Sequence, residues 1–317
     1  MAVFHAFQWL DDQFWIGAAG VDVFFVISGF IIWTIAARGE AAPGTFLWRR
    51  LTRVAPAYWL ITLALAAAAT ADPLFLPQIS VSSRHLILSL AFIQHTDPNG
   101  LAFPVLPAGW TLNYEAIFYV TFAAVLFAPA PPRFALLAAA LGVVCLFGWL
   151  DPPAYGLAAN PMLLEFVAGA WLGRRYALGR LPRSRAGPAL VALGLGAFAA
   201  MFLAGFRSEL WRPLLWGAPA ALIVGGAAAS EGGRFKAPAA LVELGDASYA
   251  IYLCHMPAVA IVAHGLGVHP AWLFVTAALA ASIAAGFLFH LAAEKPLIAA
   301  ARGVPGRLRA LAARSAA

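Results

Sequence analysis

Gly109-Trp110-Thr111-Leu112-Asn113-Tyr114-Glu115-Ala116-Ile117-Phe118-Tyr119 opens an apolar run that continues to Ala128. Within eleven residues it carries a carboxylate, an amide, a hydroxyl, two tyrosines and a tryptophan. If the run is helical, the spacing of four puts Thr111, Glu115 and Tyr119 on one face. An ionisable side chain in a membrane-length helix is costly, so it turns toward the protein interior and by default marks a functional site. The competing reading is a glutamate that bonds neighbouring helices purely for packing. Glu115 is the residue around which the other polar positions have to be placed.

The surrounding chain has the composition such a helix needs. Hydrophobic residues make up 63% of the 317 and charged residues 11%, with a mean hydropathy of +0.83. Soluble domains carry about 25% charged residues, so the composition predicts an all-α, polytopic transmembrane helical bundle in contact with the lipid bilayer. The net charge of +6 does not indicate nucleic acid. The basic residues form short clusters between apolar runs, as loops on the cytoplasmic side do. Cys145 and Cys254 both lie in apolar runs. They show neither a disulfide framework nor metal-ligand spacing, and no metal site is expected. The N-terminus lacks the basic n-region of a secretory signal, and no repeat of 20–50 residues recurs.

Nine spans are predicted, near 16–36, 55–71, 111–128, 134–150, 161–178, 188–206, 213–229, 244–264 and 271–292. Leu86 to Gln94 is too short to cross and reads as a re-entrant or interfacial piece on the outer side. With 37–54 taken as a cytoplasmic loop and the spans alternating, only Arg84, Arg207 and Arg212 of the 20 lysines and arginines fall outside. That asymmetry supports the orientation, with the C-terminus in the cytoplasm. Residues 1–300 then form one integral membrane domain, and 301–317 a short basic cytoplasmic tail. The same topology leaves the N-terminus outside, so either a further helix is encoded upstream of Met1, giving ten spans, which is the favoured expectation, or the chain functions with nine.

At about 1.5 Å of rise per residue, Asp22 lies roughly 9 Å from the outer end of its span, and Glu115 and Glu165 roughly 6 Å. His5 falls near the outer face. His255 sits near mid-membrane, two residues before Pro257, which frees a carbonyl and bends the helix. Each has a structural alternative. Asp22 suits an ion pair with a neighbouring arginine. Glu165 shares a face with Gly169 and Gly173, a pattern that serves close helix packing. His255 shares a face with Ser248 and Tyr252 and suits a plain hydrogen bond. The stretch Trp48-Arg49-Arg50-Leu51-Thr52-Arg53 is a topology anchor or an anion-binding cluster, since guanidinium forks match phosphate oxygens. His85, His95, His264, His269 and His290 show no partner pattern and receive no role.

Five segments occur in a recognisable order: Phe4-His5, Gly20-Val-Asp-Val-Phe-Phe-Val-Ile-Ser-Gly-Phe30, Arg49-Arg-Leu-Thr-Arg53 with Pro56-Ala-Tyr-Trp59, Gly109-Trp-Thr-Leu-Asn-Tyr-Glu115, and Ser248-Tyr-Ala-Ile-Tyr-Leu-Cys-His255. Together they resemble the membrane-bound acyltransferase-3 family of bacterial enzymes, closest in wording to its exopolysaccharide O-acetyltransferase-like branch. The resemblance runs from His5 to about Pro296. It implies that His5 is the catalytic histidine, that Arg50 and Arg53 serve the acyl donor, and that Glu115 is the acid of the motif. Asp22, Ser28, Trp110, Asn113, Tyr119, Tyr252 and His255 form the supporting polar set. One departure is clear: the family's arginine eleven residues before the histidine would precede Met1.

The resemblance further implies a bacterial inner-membrane O-acyltransferase that uses acyl-CoA, with acetyl-CoA favoured, as substrate. The acceptor would be a glycan or lipid-linked sugar, with no tightly bound cofactor. Intramembrane acids and histidines also build proton relays, so a proton-coupled transporter of a polar solute is the alternative. Such transporters commonly carry inverted repeats, and this chain shows none.

Overall fold

The computed structural model describes residues 19–39, 42–72, 79–150, 160–181, 185–206, 210–231 and 238–301. His5 and nearly all of the 301–317 tail lie outside them. Every described element is helical. In chain order these are α1 (Ala19–Ala37), α2 (Pro43–Ala71), α3 (Ser83–Leu90), a 3-10 turn (Pro107–Gly109), α4 (Trp110–Val125), α5 (Arg133–Leu150) and α6 (Leu163–Ala177). There follow α7 (Gly187–Leu203), α8 (Arg212–Leu215), α9 (Gly217–Ala229), α10 (Ala239–Asp246), α11 (Ser248–Leu266), α12 (Ala271–Phe289) and a π turn (His290–Glu294).

Among the described residues, four helices are long and apolar enough to cross a membrane: Ala19–Ala37, Pro43–Ala71, Ser248–Leu266 and Ala271–Ala301. Arg133–Phe147 and Gly187–Leu203 are apolar but shorter. Large apolar side chains such as Phe127, Leu203 and Trp272 are exposed, as lipid-facing residues are. The chain is a helical membrane protein.

The chain divides into two compact units, one of Val3–Gly44 with Trp110–Pro238 and one of Thr45–Gly109 with Ala239–Ala317. In the first, α1 packs along α6. Lipid offers no hydrophobic drive between helices, so association rests on close van der Waals fit through small residues. Here the fit is extreme. A Cβ on Gly169 would stand 2.0 Å from the Val26 carbonyl oxygen, and one on Gly29 would stand 2.1 Å from that of Phe166. Gly173 meets Phe30 in the same way. The Gly169/Gly173 face is thus used for packing, as its spacing predicts, and Gly29 completes it from the other helix. Phe166 is stacked between Phe25 and Phe118, with ring centroids 4.5 Å apart on both sides. Such pairs add about 0.5–1.5 kcal/mol each beyond burial.

In the second unit α11 and α12 are closely paired. Gly286 lies so near Ile251 that a Cβ would fall 2.3 Å from its Cα. Helix α3 is capped by Ser82, whose hydroxyl accepts from the His85 N–H, and Tyr58 and Trp59 of α2 donate to its last carbonyls, Ser89 and Leu90. It has only eight residues, about 12 Å, which agrees with a segment too short to cross.

Three expectations are corrected. The 37–54 stretch is not a loop: α2 begins at Pro43 and carries Trp48–Arg53 within it. Proline is favoured at the first helical position, where its missing N–H has no partner to lose. The span expected at 244–264 is divided, because α10 ends at Asp246 and α11 starts at Ser248. The one at 213–229 breaks at Trp216, whose N–H reaches only back to Arg212.

Candidate active site

The sequence of α4 delivers its polar face as expected. Glu115 is 5% exposed, and its Oε1 accepts from the hydroxyl of Tyr119, one turn on in the same helix. The same oxygen accepts from Ser28 Oγ of α1 at 2.9 Å. A carboxylate has only acceptor sites, and hydrogen bonds to an ionised oxygen are about twice as strong as neutral ones. Two hydroxyls on one oxygen therefore fix the rotamer of a buried acid. The supports are those already described: the Gly29 crossing sets the height of Ser28 one residue earlier, and Phe118 anchors α4 between Glu115 and Tyr119. Trp110 stands edge-on to Tyr114, with ring centroids 5.9 Å apart. Asn113 is buried, and its Oδ1 has no hydrogen-bond partner, so one acceptor near the start of α4 is available to a ligand donor.

Asp22 is placed differently. Arg212 grips it through Nε to Oδ1 at 2.9 Å and Nη2 to Oδ2 at 3.0 Å. This is the ion pair foreseen as its structural alternative, and it joins the two residues at one end of the unit. Glu165 lies against α9, where Gly217 makes room for its Cγ.

The remaining candidates belong to the second unit. Arg50 and Arg53 stand three residues apart on α2, a spacing that shares one helix face. The Arg50 guanidinium lies 5.8 Å from the centroid of the Phe46 ring, and Arg53 is exposed. Tyr252 donates to the Ala108 carbonyl at 2.6 Å. His255 is buried, and its Nδ1 bonds the Tyr252 carbonyl. A carbonyl only accepts, so Nδ1 carries the proton.

Two histidine arrangements escaped the sequence reading. His85 Nδ1 lies 2.7 Å from His95 Nε2, and His95 Nδ1 lies 2.8 Å from the Ile93 carbonyl. That carbonyl assigns the His95 proton to Nδ1, so in the neutral pair His85 donates. Burial, then the neighbouring His95, lower the His85 pKa below its ordinary value, with Asp97 acting in the opposite sense. No sequence periodicity signals this contact across a turn. The second is His290 with Glu294, Nδ1 to Oε2 at 2.5 Å. Its signal was present, since the two stand four residues apart at the end of an apolar helix.

A family model described as "Acyltransferase domain" matches residues 2–291. The chain is 38% identical over 306 residues, covering 93% of it and 94% of the relative, to "Exopolysaccharide production protein ExoZ" of Rhizobium meliloti (strain 1021). No solved structure matches. The chain belongs to the acyltransferase-3 family of membrane acyltransferases.

Proposed function

We propose that the protein is an inner-membrane O-acyltransferase that moves an acetyl or other short acyl group from acyl-CoA to a hydroxyl of an exopolysaccharide or a related glycan. The observation that carries this reading is Glu115, a buried carboxylate whose Oε1 takes hydroxyl donors from two helices in a chain of an acyltransferase family. The similarity to an exopolysaccharide production protein supports an exopolysaccharide acceptor.

In the transfer, the acceptor oxygen bonds to the thioester carbonyl carbon while the carbon–sulfur bond breaks. His5 takes the hydroxyl proton as general base, and the departing thiolate recovers one proton. Glu115 orients the imidazole and stabilises its charged form. Arg50 and Arg53 hold the donor's phosphates, for which a pair of guanidiniums three residues apart on one helix is suited. In the nine-span topology expected from the sequence those arginines face the cytoplasm, where acyl-CoA is available.

The test uses membranes bearing the full chain, labelled acetyl-CoA and extracted polysaccharide. Label should enter the glycan with the wild type and be lost in His5→Ala and Glu115→Ala at equal protein level. Full labelling by both variants would refute the assigned roles. Solute uptake without label would favour transport.

A further inference from the structure

Helix α6 keeps one face for lipid. Leu164, Trp171 and Leu178 are 37%, 48% and 51% exposed, while Gly169 and Gly173 pack against α1 on another side. A spacing of seven returns to nearly the same side of a helix, so the three form one apolar stripe. Arg175 stands in that stripe, four residues after Trp171 and three before Leu178. A guanidinium on a lipid-facing stripe is costly inside hydrocarbon. It is tolerated near a helix end, where the head reaches the polar headgroup level.

The end of α6 fixes that head. Gly179 has a φ of 64°, the left-handed conformation that favours glycine. Its N–H reaches the Tyr176 carbonyl at 2.9 Å, and the Arg180 N–H reaches the Arg175 carbonyl at 2.8 Å, the paired bonds of a Schellman end. The turn brings Arg180 back beside Arg175, whose Nη2 donates to the Arg180 carbonyl at 3.1 Å. The Arg175 guanidinium also lies 5.7 Å from the centroid of the Trp171 ring, within cation–π range. Arginines in a last turn offset the helix dipole. That accounts for positive charge there, but not for its place on the exposed stripe, nor for the exposed Arg180 beyond the helix end. A carboxylate at this end, Glu231, takes the Tyr176 hydroxyl, and the Tyr176 ring stands against Phe30 of α1.

We propose that Trp171, Arg175 and Arg180 form a binding site for an anionic phospholipid, its phosphodiester taken by the two guanidiniums and its acyl chains lying along the stripe toward Leu164. Phosphate oxygens match the guanidinium fork, and acyl chains cover apolar surface that a soluble anion leaves bare. In the orientation expected from the sequence this end faces the cytoplasm, on the leaflet whose surface is negative. The inference needs the membrane reading of the fold and not the acyl-transfer reading.

The test titrates the purified full chain in neutral detergent with dioleoylphosphatidylglycerol or dioleoylphosphatidylcholine and counts bound lipid by native mass spectrometry. Both lipids carry the phosphate, but the second cancels its charge. The wild type should bind phosphatidylglycerol more tightly, and equal binding overturns the proposal. One arginine at an anionic surface is worth about fivefold, so Arg175→Gln with Arg180→Gln should weaken phosphatidylglycerol about 30-fold. Unchanged binding in that variant overturns the site. Arg38→Gln, at the exposed end of α1, should leave binding unchanged. A loss equal to that of the double variant would mean diffuse charge and overturn the site. Soluble glycerol 3-phosphate should not compete at the lipid's concentration, and equal competition would make this a phosphate-ion site instead.

If the double variant fails to fold, seen as a missing thermal transition, the wild type answers by its salt dependence. High salt should weaken phosphatidylglycerol severalfold and leave phosphatidylcholine unchanged, and no effect of salt on either refutes the proposal.

Discussion

Helix α1 meets two buried carboxylates, at positions six residues apart along it, and the two are held in opposite ways. Near its start, Asp22 is fully buried and held by both arms of the Arg212 guanidinium. At Ser28 the same helix gives Glu115 a hydroxyl, and Tyr119 gives it a second. A guanidinium fork supplies a full compensating charge and two parallel bonds, so the Asp22 charge is spent on holding α1 to the segment that carries Arg212. The two hydroxyls fix the direction of the Glu115 carboxylate, as its proposed role beside an imidazole requires. Burial alone does not separate a structural acid from a reactive one, so the groups that hold each acid are where the two are compared.

The largest expected effect comes from exchanging the insults. Glu115→Gln keeps the shape and the acceptor oxygen, so the fold should hold while acyl transfer falls by about 10²–10⁴-fold, the range of a general acid–base contribution. Asp22→Ala strands the Arg212 charge and should cost about 3–5 kcal/mol of stability, read as a lowered thermal midpoint in detergent. The activity of the molecules that remain folded should stay near wild type. If both variants lose activity per folded molecule alike, the contrast between the two acids is wrong.

Removing one of the two hydroxyls sharpens the comparison. Tyr119→Phe and Ser28→Ala each delete one hydrogen bond to a charged group, worth about 1.5–3 kcal/mol. Each should therefore lower turnover by roughly 10- to 100-fold, with little change in the thermal midpoint. A large stability loss without a catalytic one would make Glu115 a packing residue.

The smallest effect concerns a third way of burying polar groups, the His85–His95 pair. The folded His85 pKa is depressed below the unfolded value of about 6.5. The unfolded chain therefore binds more protons between those two values. The pair's stabilisation is full above pH 6.5 and is lost as pH falls through the folded value. Thermal midpoints compared at pH 7.5 and pH 5 should drop on acidification, and less so in His85→Gln. An equal drop in the variant would assign the pH dependence to other groups.

Part of this site is legible in the sequence. Glu115 and Tyr119 stand four apart, and helical geometry alone brings their side chains together. Gly169 and Gly173 announced a close crossing for the same reason. Arg50 and Arg53 are visible as a pair, but their charge density suggests a connecting loop, whereas Pro43 starts a helix that carries both. His290 and Glu294 show the same four-residue spacing and were missed because they end an apolar helix without a motif around them. Ser28 carried no mark that tied it to Glu115, and Asp22 none that tied it to Arg212. These partners are 87 and 190 residues apart in the chain.

The amino-acid sequence by itself determined the class of protein, its helices and which residues share a face, because composition and a period of 3.6 act locally. The family follows from motif order. Only the tertiary structure decided what each buried acid is held by, since two helices must meet before a serine or an arginine can reach across. That Asp22 meets a guanidinium and Glu115 two hydroxyls is a property of that meeting, in an α1 held most closely by the glycines at its crossing with α6.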